Sequence, residues 1–247
     1  MDNLATSHDS IYQGKWLLEQ PLKGYRFGTD AMVLAASVNA KPAERVLELG
    51  CGVGAVLLAV HARLPEVFLT GIEREADYIE LAKRNIVKNA VSRRINVFRG
   101  DLQNAMTIHS LGRFDHVIAN PPYYEIGKHS GAATDIRRVA RQHEPQALAE
   151  WLQAANRVLK PKGTVTFIHA TERLDELLYG MKRFCGGIRI FPLWPQAGKP
   201  SKRLIVQGVK GSKTPTLLCA GLVMHQDDGL STQRALDVIN HGQSIWE

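Results

Sequence analysis

The tetrapeptide Asn120-Pro121-Pro122-Tyr123 sets three chemically useful groups side by side on a backbone that two prolines stiffen. The Asn120 side chain offers an amide oxygen, and Pro121 offers a free backbone carbonyl. Two such acceptors can take both hydrogens of an NH2 group conjugated to a ring or a carbonyl. Held that way, the nitrogen is pulled from planar toward tetrahedral, and its lone pair is aimed at an electrophilic carbon. Tyr123 adds an aromatic face on which a flat substrate can stack. The chemistry that fits is an in-line displacement assisted mostly by positioning. No strong base is needed, because the product nitrogen sheds its proton easily. An ordinary turn would be the bland reading of the same four residues, and their place after three other motifs argues against it.

The first of those motifs is Glu48-Leu49-Gly50-Cys51-Gly52-Val53-Gly54, between a strand expected at Arg45–Leu49 and an apolar helix at Ala55–Arg63. Glycines let a backbone turn tightly and approach a ligand where a Cβ would collide. Dinucleotide folds use similar turns, so the glycines alone decide little. Two details favour S-adenosyl-L-methionine as the ligand of Glu48, Gly50, Gly52 and Gly54. The pattern is ExGxGxG rather than GxGxxG, and the acidic Glu48 suits a ligand end that carries an ammonium, where a pyrophosphate would be repelled. Glu73 follows at the end of the second strand, placed to accept both ribose hydroxyls; its competing role is to cap the next helix. Asp101, after the third strand, is a candidate acceptor for the adenine amino group, or else the N-cap of a short helix.

These motifs need a scaffold that delivers them to one place. Apolar periodicity predicts helices at Thr29–Val38, Ala55–Arg63, Ala76–Asn89, Gln146–Leu159, Glu172–Phe184 and Thr232–Asn240. Strands are expected at Arg45–Leu49, Val67–Ile72, Ile95–Phe98, Phe114–Ala119, Thr164–His169, Ile188–Leu193, Arg203–Gly208 and about Leu217–His225. Lys160-Pro161-Lys162-Gly163 reads as a helix stop and turn, and Met1–Ser10 as a polar start. Strands alternating with helices, then a terminal hairpin, imply an α/β fold whose mainly parallel sheet has an antiparallel edge. In such sheets ligands sit beyond the carboxyl ends of the strands, where every motif above falls.

The composition bounds the setting. With 45% hydrophobic and 22% charged residues, the 247-residue chain is ordinary for a soluble globular protein, and 1–247 reads as one domain. Within it, 1–40 forms a lead, 41–169 the cofactor core and 170–247 a basic C-terminal part. No apolar run spans a bilayer and no signal peptide is seen, so a cytoplasmic enzyme is expected. Cys51, Cys185 and Cys219 are too scattered for a metal clip, and the nine histidines lack ligand spacing, so no metal is expected. The net charge of +7 is concentrated: between Glu176 and Asp227 no acidic residue occurs, while Lys182, Arg183, Arg189, Lys199, Lys202, Arg203, Lys210 and Lys213 give +8. A solvated basic face is the bland account; an acid-free stretch of this length favours a nucleic-acid surface, with Lys199, Lys202 and Arg203 as contacts. The polar stretch from Tyr124 to Glu144, with Lys128, Arg137, Arg138 and Arg141, is a second candidate for RNA contact.

Together these residues resemble the class I (Rossmann-like) methyltransferases that bear the NPPY signature, a group holding both adenine-N6 and glutamine-N5 methyltransferases. The resemblance covers most of the chain and implies a seven-stranded, mainly parallel sheet with an antiparallel hairpin drawn from the strands after Ile188. The flanks narrow it. Tyr25-Arg26-Phe27-Gly28-Thr29-Asp30-Ala31 is similar to the FGTDA segment of bacterial tRNA adenine-N6 methyltransferases, above all those acting beside the anticodon of valine tRNA. Pro192-Leu193-Trp194-Pro195 and Arg203–Gly208 resemble the same group. The likeness implies that Phe27, Gly28 and Thr29 help cover the cofactor, that Asn120 serves cofactor and substrate together, and that the partner is tRNA. It departs at Tyr124, where phenylalanine is more common, and at Ser231-Thr232, where a Tyr-Thr pair commonly opens the last helix.

The main rival is a glutamine-N5 methyltransferase acting on a release factor, a group that usually carries a helical domain ahead of the glycine motif. A DNA adenine methyltransferase would need a target-recognition domain, and a guanine-N2 rRNA enzyme tends toward phenylalanine at position 123. A catalytically silent RNA-binding protein would not need the full set of motifs, and an NAD-dependent oxidoreductase would need GxGxxG.

Overall fold

The computed structural model describes residues 5–24, 26–122 and 144–246. An N-terminal hairpin comes first, with β1 (Thr6–Ile11) antiparallel to β2 (Trp16–Pro21). It was not expected from the sequence, because β1 is almost wholly polar. Helix α1 (Thr29–Ala36) leads into the alternating core: β3 (Arg45–Leu49), α2 (Ala55–Arg63), β4 (Phe68–Glu73), α3 (Ala76–Lys88) and β5 (Ile95–Arg99). Then come α4 (Ala105–Ser110), β6 (Phe114–Ala119), α5 (Glu144–Val158) and β7 (Leu159–Ala170). A 3-10 turn at Thr171–Arg173 precedes α6 (Leu174–Met181), so the long helix expected at Glu172–Phe184 is shorter at both ends. The chain closes with β8 (Cys185–Gln196), β9 (Arg203–Lys210), β10 (Leu217–Leu218), β11 (Leu222–His225) and α7 (Gln233–His241).

The main sheet runs β10-β8-β9-β7-β6-β3-β4-β5, with β11 also on β8. Strands β3 to β7 are mutually parallel, and β9 runs antiparallel to both β7 and β8. The seven expected strands are thus present as β3 to β9. The single last strand expected near Leu217–His225 is instead two short strands on the outer edge of β8, bringing the described sheet to nine. Gly221 stands in the break at φ +84°, where a Cβ would lie 2.3 Å from the Pro192 carbonyl oxygen, so the position suits glycine. The turn expected at Lys160–Gly163 is taken up as a bulge at the start of β7. There Phe114 faces Leu159 but His116 faces Thr164, and Lys162 adopts φ +64°.

Alternation along the strands splits the core between the two faces of the sheet. Val46, Ile118, Ile168 and Ile205 join α1, α2, α3 and α7 on one face. Leu47, Leu49, Val117, Phe167 and Val206 join α4, α5 and α6 on the other. Phe114 and Phe167 are fully buried in the second cluster, and truncating either to alanine is expected to cost about 3–5 kcal/mol. No helix among the described residues is long and apolar enough to cross a membrane.

Candidate active site

The glycine motif leaves β3 on left-handed backbone, with Gly50 at φ +64° and Gly52 at φ +52°. Gly50 also has no room for a side chain: a Cβ would sit 2.4 Å from the Trp151 ring, which α5 lays against the loop. At Gly52, by contrast, a Cβ would meet nothing within 4 Å, so the loop presents bare backbone to open space. The turn is closed by Gly54 N–H to the Cys51 carbonyl at 2.8 Å, and it is tied to β4 by Cys51 N–H to the Ile72 carbonyl at 3.0 Å. Gly54 then caps α2, so that helix begins directly at the loop.

Two carboxyl groups flank this loop from different depths. Glu48 is 2% exposed and accepts the Leu57 amide near the start of α2, while its Oε2 is buried without a partner. Burial first, and the nearby Glu73 second, push its pKa well above the usual carboxylate range. A cation arriving beside Glu48 would stabilise its ionised form and satisfy the orphaned oxygen, which fits the ammonium of the expected cofactor. Glu73, at the end of β4, is half-exposed and already organises backbone. Its Oε2 accepts Gly52 N–H at 3.0 Å, and its Oε1 accepts Arg74 N–H at 2.7 Å and Glu75 N–H at 3.0 Å. It therefore orders the backbone just ahead of α3 and joins it to the glycine loop, but it does not cap the helix, whose N-cap is Glu75 with no side-chain cap bond.

Asp101 follows β5 and accepts Gln103 N–H at 2.9 Å. The helix after it is capped by a different residue, since Asn104 Oδ1 accepts Met106 N–H at 3.0 Å and Thr107 N–H at 3.1 Å. The N-cap alternative for Asp101 is thereby corrected. Asn120 comes one residue past Ala119, which pairs with Leu49 of β3 on one side and Phe167 of β7 on the other. The register sets Asn120 beside Gly50, with Pro121 buried and Pro122 exposed. Tyr123, Tyr124, Lys128, Arg137, Arg138 and Arg141 lie outside the described residues, as does Tyr25.

Phe27, Gly28 and Thr29 form the entry to α1, whose start is fixed by an ion pair. Asp30 Oδ2 lies 3.3 Å from Arg203 Nε, and Arg203 pairs with Ala170 at the carboxyl end of β7. The beginning of α1 thus stands at the same sheet edge as the glycine loop, Glu73, Asp101 and Asn120. Gly28 and Thr29 are exposed there, and Phe27 is half-buried. Sequence reasoning missed Trp151 and the hairpin as parts of this region. A Gly14 between Ile11 and Trp16-Leu17-Leu18 was the available hairpin signal.

The basic region does not form one surface. Cys185 pairs with Lys210 at one end of the β8–β9 pair, and Leu193 with Arg203 at the other; the eight residues of β9 separate these ends by roughly 25 Å. The turn with exposed Lys199 and Lys202, beside Arg203, lies at the edge that holds Asn120. Exposed Lys182, Arg183 and Lys213 lie at the opposite edge with Lys210. Lys210 is structural: its Nζ donates to the Asn156 carbonyl at 2.5 Å and the Leu159 carbonyl at 3.0 Å, satisfying the end of α5. Arg189 is stacked on the Trp246 ring at 4.1 Å. A linear scan counted eight cations as one footprint, whereas folding leaves two exposed lysines and Arg203 at the strand ends that carry the motifs.

A backbone cradle, an orphaned buried carboxyl and a stiff Asn-Pro-Pro, all beyond the carboxyl ends of parallel strands, define a class I methyltransferase that uses S-adenosylmethionine. That cofactor supplies an activated methyl group; the chain supplies the binding surface and the positioning. Residues 26–186 match the family model described as the methyltransferase small domain. The chain belongs to that family. It is 27% identical over 209 residues to a tRNA1(Val) (adenine(37)-N6)-methyltransferase of Vibrio campbellii, covering 84% of each chain. It is 30% identical over 182 residues to the enzyme of that name from Histophilus somni, covering 73% of this chain and 75% of that one. A crystal structure from Agrobacterium tumefaciens, described as a predicted O-methyltransferase, superposes with a TM-score of 0.72 at 29% identity, over 87% of this chain and 97% of that one.

Proposed function

We propose that this enzyme methylates N6 of an adenine in tRNA, most specifically the adenine next to the anticodon of a valine tRNA, and acts in the cytoplasm. The observation that carries the reading is the placement of Asn120 and Pro121 beside the glycine loop, in a chain whose curated relatives bear that name. In this reading Phe27, Gly28, Thr29, Glu48, Gly50, Gly52, Gly54, Glu73 and Asp101 hold S-adenosylmethionine, and Asn120 touches it while serving the substrate. Asn120 and Pro121 take the two N6 hydrogens, and Tyr123 stacks on the adenine. Lys199 and Lys202 contact RNA phosphates, joined by Tyr124, Lys128, Arg137, Arg138 and Arg141. Arg203 is reassigned to holding Asp30 at the start of α1, on the strength of their ion pair.

A glutamine side chain would satisfy Asn120 and Pro121 equally well, but the names of the relatives do not favour it. An oxygen acceptor fits less well, because two hydrogen-bond acceptors suit an NH2 group better than a hydroxyl with one hydrogen. The test is transfer of labelled methyl from S-adenosylmethionine in vitro. Total tRNA is expected to accept label, whereas release factor and duplex DNA are not. Exchanging Lys199 and Lys202 for glutamate should weaken tRNA binding by about tenfold or more at low salt and flatten its salt dependence. Label recovered in protein glutamine would overturn the proposal.

A further inference from the structure

The β1–β2 hairpin contributes no reactive group, yet its polar contacts run to both sides of the site. Asn85 of α3 is fully buried; its Oδ1 accepts Glu19 N–H at 2.7 Å, and its Nδ2 donates to the Glu19 carbonyl at 2.9 Å and the Val53 carbonyl at 3.0 Å. One helical turn on, Asn89 repeats the pattern on Leu17, accepting its N–H at 2.9 Å and donating to its carbonyl at 2.7 Å. Residues four apart on a helix rise about 6 Å, and alternate residues of a strand advance about 6.8 Å. The two amides therefore imitate a neighbouring strand for β2, and Asn85 extends the same network to Val53 inside the glycine motif.

The other end of the hairpin reaches the entry to α1. Gln20, 2% exposed, accepts Phe27 N–H on its Oε1 at 3.0 Å and donates from its Nε2 to Asp9 Oδ2 at 2.9 Å. Arg26 pairs with the same Asp9 oxygen at 2.9 Å and donates to the Pro21 carbonyl at 2.9 Å. Apolar burial already docks the hairpin, through Ile11, Leu18 and the Trp16–His61 ring contact. Buried amides add little affinity beyond that burial, but they fix register, since a one-residue slip would orphan each of them.

We propose that Asn85 and Gln20 are positioning residues for the cofactor: through the hairpin they hold Phe27–Thr29 at a set place relative to the Gly52–Gly54 loop. This rests on the reading of that loop and of Phe27–Thr29 as cofactor contacts. The test measures S-adenosylmethionine affinity by calorimetry, with Tm of the free protein and steady-state constants alongside. Gln20→Met keeps the volume and removes both hydrogen bonds, and Asn85→Asp keeps the acceptor for Glu19 but loses both donors. Each should raise Kd and KM for S-adenosylmethionine about tenfold, with KM for RNA unchanged. Ile190→Val, a core change remote from the network, should leave Kd alone. Gln20→Glu supplies a rescue. The charged groups around that side chain are Asp9 on β1 and Arg26, so an ionised glutamate faces repulsion from Asp9. As pH falls and it protonates, it can again donate to Asp9 and accept from Phe27, and affinity should recover.

A lowered Tm with unchanged cofactor Kd in Gln20→Met would overturn the inference, and that variant decides alone if Asn85→Asp does not fold. Glu73→Ala separates the two levels of the argument. If it loses cofactor while the Gln20 and Asn85 variants keep it, only this inference fails. If it too binds cofactor normally, Glu73 leaves the cofactor site and the reading on which this inference rests fails with it.

Discussion

Asn120→Ala will lose methyl transfer by at least about a hundredfold while its affinity for S-adenosylmethionine changes by less than about threefold, under 1 kcal/mol. The reason is where the side chain stands. It follows Ala119 at the end of β6, with β3 and its glycine loop on one side and β7 on the other. The backbone of Gly50 to Gly54 and the carboxyl groups of Glu48 and Glu73 remain in place when the amide is removed. What disappears, in the proposed reading, is one of the two acceptors that orient the target NH2 group, so the loss falls on kcat. Asn120→Asp should lie between, because a carboxylate still accepts a hydrogen bond but adds charge next to a neutral nucleophile. Equal loss of cofactor binding and turnover in Asn120→Ala would instead make cofactor binding its main role.

Glu73→Ala will raise the Kd for S-adenosylmethionine by about a hundredfold, or about 2.7 kcal/mol. Three backbone amides, those of Gly52, Arg74 and Glu75, lose their acceptor at once, so the loop is no longer held in place, and a hydrogen bond from the cofactor to a charged acceptor is itself worth about 1.5–3 kcal/mol. In the proposed reading the ribose hydroxyls lose theirs as well. Glu73→Gln should recover part of the effect, since one oxygen still accepts while the NH2 group faces an amide it cannot satisfy. Calorimetry on both variants checks this, and binding within threefold of the parent for Glu73→Ala would remove Glu73 from the cofactor site.

The parallel core was legible because its strands are apolar runs bounded by turn signals, and the glycine motif because left-handed backbone at Gly50 and Gly52 demands that residue type. Glu73, Asp101 and Asn120 were legible as candidates for the same reason: each ends a strand or lies within two residues of a strand's end, so topology brings them to one edge. The hairpin was missed because, among the described residues, Thr6–Ile11 pairs only with β2, and the amides that dock it, Asn85 and Asn89, come more than sixty residues later. Trp151 was missed because a lone indole on an amphipathic helix carries no mark of the glycine it will cover. Charge was misread in a different way. Lys182 and Lys202 are close in a count along the chain, yet strand β8 lies between them and carries them to opposite ends of the β8–β9 pair.

The most direct test of the central claim is nucleoside mass spectrometry of tRNA from a strain lacking this gene, beside the parent and a strain carrying the gene on a plasmid. N6-methyladenosine next to the anticodon of valine tRNA should vanish in the deletion and return with the intact gene, but not with Asn120→Ala. An unchanged N6-methyladenosine content in the deletion strain would contradict the account.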